Sequence, residues 1–104
     1  MAQERQERGF QAYALRLLGT LAAQETTPDV AAAAGYYQQA IALAQELGMR
    51  PLLAHSHFGL GTLYSRLGQR APAINALAAA VELYRAMAMT FWLPQAEAAL
   101  ALLA

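Results

Sequence analysis

The segment Leu47 to Gly68, LGMRPLLAHSHFGLGTLYSRLG, constrains the fold more than any other stretch of the chain. Gly48 fits the left-handed residue that ends a helix. Pro51 restarts the chain three residues later, where its missing N–H costs nothing. One amphipathic helix carrying Leu60, Gly61 and Tyr64 follows, and Gly68 stops it. Most of these parts recur once before the segment and faintly once after it. A chain punctuated this way folds as helices joined by tight turns.

Composition agrees. Alanine, the strongest helix former, makes up roughly a quarter of the 104 residues, leucine is next, and Val and Ile are scarce. The expected class is all-α, in one domain with a modest core. Seven basic residues, all arginine and dispersed along the chain, are matched by seven acidic ones. Zero formal charge leaves no electrostatic footprint for nucleic acid or an anionic membrane. Without cysteine there are neither disulfides nor thiolate metal sites. MAQERQERGF is the opposite of a signal peptide, and no apolar run reaches the ~18 residues of a membrane span. A cytoplasmic protein is expected.

Five helices are expected. The first runs from about Gln3 to Ala23, with Phe10, Tyr13, Leu17, Leu18 and Leu21 forming one apolar stripe. The second starts at Pro28 behind a Thr27 cap, with Asp29 near its positive end, and stops at Gly48. The third covers Pro51 to Leu67. The fourth runs from Gln69–Pro72 to about Met87, with Ile74, Leu77, Val81 and Tyr84 on its buried side. The fifth runs from Phe91–Pro94 onward. Connections of roughly two to five residues make neighbours antiparallel.

The helices repeat in pairs. Leu18-Gly19 matches Leu60-Gly61, 42 residues on. Ala33, Tyr37, Ala40 and Ala44 match Ala73, Leu77, Ala80 and Tyr84, and the connectors AQELGMRPLL and YRAMAMTFWL share their spacing, Met49 against Met89. A small residue beside leucine lets the two helices of a pair touch closely. Neither helix buries its face alone, so pairs stack.

This pattern resembles the tetratricopeptide repeat, with Leu60-Gly61, Tyr64, Gly68, Ala73, Leu77 and Ala80 matching in order and spacing. Both units exceed the family's ~34-residue period, as in its longer-helix variant. The resemblance implies helix pairs stacked as a short right-handed superhelix: repeat 1 at about 12–47, repeat 2 at 51–87 and a terminal helix at 91–104. The wording AxxLAxELGMRPLxAHxHxGLGxLYxRxG looks like the C-terminal repeat region of bacterial nucleotide cyclases and ATPase-type signalling regulators. The implied function is a non-catalytic protein–protein interaction scaffold. Two alternatives stay open: a homo-oligomerisation module of a larger enzyme, and a small-molecule sensor.

The resemblance places a protein or peptide partner on the inner face of the first helix of each pair, on Tyr13, Arg16, Thr20, His55, Phe58, Thr62, Arg66 and Gln95. Arg16 and Arg66 suit a carboxylate held bidentately. Thr20 and Gly59 occupy the places of the asparagines in the carboxylate clamp of chaperone-binding members, so that clamp is not expected.

No catalytic, cofactor or metal site is expected. His55 and His57, about 200° apart on a helix, cannot share one metal. Gly59-Leu-Gly61 lies inside a helix with no lysine in the chain, which excludes a phosphate loop and favours close packing. Ser56 and Ser65 lack activating neighbours, and Glu46, Glu82 and Glu97 fall on different helices. The terminal helix carries a single charge, Glu97, and ends in leucines. Self-association, most simply as a dimer, is expected there through Trp92, Leu100, Leu102 and Leu103.

Overall fold

A computed structural model describes residues 2–24 and 29–103. Among these residues the chain forms five α-helices: α1 (Ala2–Gln24), α2 (Val30–Leu47), α3 (Arg50–Arg66), α4 (Arg70–Ala86) and α5 (Leu93–Ala101). Each packs on the next, and α1 also touches α3. The molecule is therefore all-helical, built of helices packed in consecutive pairs. No described helix is long and apolar enough to cross a membrane.

The helix boundaries follow from local chemistry. The Thr27–Pro28 start expected for α2 lies outside the described residues. Asp29 is itself the N-cap, its carboxylate accepting from the Ala32 N–H at 3.0 Å. Residues 48, 68 and 88 all turn left-handed, with φ of 71°, 72° and 54°. At each turn the following N–H bonds back across the helix end, Met49 to the Ala44 carbonyl, Gln69 to Tyr64 and Met89 to Tyr84. Glycine takes the first two turns, and Ala88 takes the third in spite of its β-carbon.

Among the described residues, ten of the eighteen buried apolar side chains are alanine, so the helices meet nearly backbone to backbone. The other eight include the large side chains Tyr37, Leu52, Leu60, Leu63, Leu77 and Tyr84, which plug the seams. Each pair uses one glycine as the socket. A β-carbon on Gly61 would come within 2.7 Å of Leu77, and one on Gly19 within 3.1 Å of the Tyr37 ring.

The apolar stripe of α1 does not face this core. Phe10 and Leu21 are 72% and 60% exposed, and Tyr13, Leu17 and Leu18 are also exposed. The helix packs instead through Ala12, Gly19 and Ala22, on its opposite side. Leu18 and Leu60, equivalent by sequence, thus have different surroundings, because α3 has helices on both sides and α1 only on one.

The terminal leucines also depart from expectation. Leu100 and Trp92 pack inward on the cluster of Ala54, Ala80, Val81, Tyr84 and Ala96. Leu103 is half-buried, and its carbonyl accepts from Arg70 Nε at 2.6 Å. Of the four residues expected to drive association, Leu102 alone is largely open, at 87%.

Candidate functional site

Two adjoining clefts run along the side where α1 lies against α3. They share Thr20, Tyr37 and Gly59. One continues to Thr62 and Arg66 and has a volume of about 160 Å³. The other continues to Arg16, His55, Phe58 and Trp92 and has a volume of about 100 Å³. Six of the eight expected groove residues are thus brought together: Arg16, Thr20, His55, Phe58, Thr62 and Arg66. Tyr13 lies with the exposed stripe of α1 and lines neither cleft. Gln95 is exposed and turned to its own helix start, donating to the Phe91 carbonyl at 3.0 Å.

The floor is made by two tyrosines from the second layer. Tyr37 of α2 passes between α1 and α3, its ring lying against Gly19 and Gly59. Its hydroxyl emerges 2.9 Å from Thr20 Oγ1. Thr20 already donates its single hydrogen to the Arg16 carbonyl at 3.1 Å, so Tyr37 is the donor in the second bond.

Tyr84 of α4 closes the other end. Its oxygen lies 2.6 Å from His55 Nδ1, and its ring stacks on Trp92 with centroids 6.4 Å apart and 17° between planes. Phe58 meets the Tyr84 ring edge-on, and His55 meets Trp92 edge-on at 4.8 Å. Burial pushes the Tyr84 hydroxyl up to about 12, against a smaller opposing pull from Arg16. Burial, and then the Arg16 charge, hold His55 below the usual imidazole range. At neutral pH both groups are uncharged, and this end is aromatic with one cation beside it.

In the sequence Tyr84 reads as buried-side filling and Tyr37 as the counterpart of the buried Leu77. The available signal was the hydroxyl, since a buried phenol needs a polar partner that phenylalanine does not. Their convergence from two different repeat positions is a three-dimensional property.

Several of the other residues weighed as candidate sites are engaged in structure. Ser56 is fully buried and donates to the Leu52 carbonyl at 2.8 Å. Gly59 and Gly61 seat Tyr37 and Leu77. Glu46 pairs with Arg8 at 2.6 Å and Glu97 with Arg85 at 3.5 Å, both on the surface. His57 is half-buried, and no three His, Asp or Glu side chains among the described residues are placed to hold a metal ion. Arg16 and Arg66 form no ion pair with a described residue.

Comparison with protein-family models, with curated proteins and with solved structures returns no match for this chain.

Proposed function

We propose that the chain is a non-catalytic scaffold of tetratricopeptide-repeat type, which presents the α1–α3 groove to an extended segment of another protein, in a cytoplasmic signalling setting. The observation that carries the reading is the pair of arginines. Arg16 and Arg66 sit in the two adjoining clefts, unpaired among the described residues, with an aromatic floor between them. Guanidinium groups lining the same clefts as aromatic side chains suit a peptide that carries carboxylates and one apolar side chain. The size of the two separate clefts also favours an extended peptide over an enclosed small molecule. At 160 and 100 Å³ they fall below the ~300 Å³ at which drug-sized ligands are enclosed.

The test is selection from a displayed random-peptide library against the full chain. The expected result is enrichment of acidic, aromatic-containing peptides whose affinity falls at least about tenfold, ~1.4 kcal/mol, in an Arg16→Ala, Arg66→Ala variant of unchanged helicity. Failure to enrich any peptide, or equal binding by the variant, overturns the reading.

A further inference from the structure

The geometry points to a two-fold dimer in which the outer face of α1 pairs antiparallel with the same face of a second copy. The face is a continuous stripe of Phe10, Tyr13, Ala14, Leu17, Leu18 and Leu21, all exposed. Between Gly9 and Gln24 the only charge is Arg16, which lies on the groove side of the helix. Two copies brought together here oppose no like charges, and charge depletion is the mark of an interface centre.

What selects a second copy is the order of residues. Reversing α1 about the midpoint between Leu15 and Arg16 carries Phe10 onto Leu21, Tyr13 onto Leu18 and Ala14 onto Leu17. An antiparallel two-fold pairing performs that reversal, since each residue then meets the position that its own counterpart vacates. Both aromatics face leucines, and each Leu17 faces an alanine that leaves room for it. The match is a property of the stripe itself and does not depend on the groove.

The area is sufficient. Phe10, Tyr13, Leu17, Leu18 and Leu21 are 72%, 48%, 55%, 43% and 60% exposed. On side chains of ~150–220 Å² this amounts to roughly 500 Å² per copy and ~1,000 Å² for the pair, the lower bound of a specific interface. The C-terminal end offers less, because Leu102 is exposed while Leu100 and Trp92 pack inward.

Sedimentation of the full chain over a concentration series up to about 200 μM reads the prediction directly. The expected mass rises to twice that of the monomer, and Leu17→Glu or Leu21→Glu returns it to monomer with helicity unchanged, since neither side chain is in the core. Leu102→Glu and Arg16→Ala are expected to leave the dimer intact, which separates this proposal from the groove. The chain has no cysteine, so register is read by a short bis-maleimide on Glu7→Cys and Gln24→Cys, exposed positions exchanged by the same reversal. The mixture of the two is expected to cross-link, and either alone to do so poorly. A strict monomer at the highest concentration overturns the proposal and leaves the stripe to a different chain. A dimer that survives Leu17→Glu but not Leu102→Glu, or single-cysteine variants that cross-link as well as the mixture, also overturns it.

Discussion

The Tyr37 ring lies so close to Gly59 that a β-carbon at that position would sit 2.5 Å from it. Gly19 bounds the ring on α1, so Tyr37 is held between backbones and cannot swing aside. One side chain of α2 thereby sets the spacing of α1 and α3, and with it the width of the groove between them.

Gly59→Ala is expected to destabilise the protein although alanine is the better helix former. Overpacking of this kind costs ~1–3 kcal/mol, which outweighs a propensity gain of ~1 kcal/mol only where the ring cannot move. Gly35→Ala is the control. It lies inside α2 with nothing within 4 Å of its missing β-carbon, so the same change there is expected to stabilise by ~0.5–1 kcal/mol. Urea unfolding of both variants gives the two opposite signs; equal signs would show that Tyr37 moves freely.

Ala88→Gly is expected to raise stability by about 1 kcal/mol. Ala88 holds φ 54° in a turn whose two counterparts, Gly48 and Gly68, pay no β-carbon penalty. Left-handed backbone costs a non-glycine residue roughly 1–2 kcal/mol, part of which is offset by the greater freedom of glycine in the unfolded chain. The reverse changes, Gly48→Ala and Gly68→Ala, are expected to lower stability by similar amounts. Thermal unfolding of the three variants checks the set.

Much of the fold was legible because it rests on punctuation. Gly48, Pro51 and Gly68 act locally, and their effects are written in single residues. The third left-handed turn is marked only by the connector spacing that sets Ala88 against Gly48, since nothing about alanine itself announces it; the Met89 N–H closes that turn on the Tyr84 carbonyl. The α1 stripe shows a different limit. Periodicity reveals that Phe10, Leu17 and Leu21 share a face but not whether a helix lies against it. The groove was legible in part, through the repeat resemblance, which pointed to six of the residues that line the clefts. Tyr37 and Tyr84 escaped because their rings are core while only their hydroxyls reach the groove.

Tyr37→Phe and Tyr84→Phe are expected to differ. In the first, Thr20 keeps its bond to the Arg16 carbonyl and only a neutral bond is lost, at about 0.5–1.5 kcal/mol. In the second, the His55 Nδ1 loses its 2.6 Å partner in a half-buried site, so the cost is larger. Chemical denaturation ranks the two, and equal losses would contradict the bonding pattern at Thr20.

Stability is expected to fall as the pH drops from about 7.5 to 5. Burial lowers both histidines from their usual value of about 6.5, with Arg16 adding to the effect on His55. A lowered imidazole pKa means that the unfolded chain takes up protons first, so acid favours unfolding. The stability is fully present above the unfolded value and is lost below it, until the folded histidines titrate in turn. Glu46 acts outside this window. The hydrogen bond from Arg8, and then its charge, hold that carboxylate below its usual range, so its contribution fades only at more acid pH. Thermal unfolding followed by far-UV circular dichroism and Trp92 emission should show the midpoint falling steadily across the window. A His55→Gln, His57→Gln variant should start lower, having lost the Tyr84 bond, and then stay flat. A wild-type profile as flat as that variant's would show that the two imidazoles are as well solvated folded as unfolded.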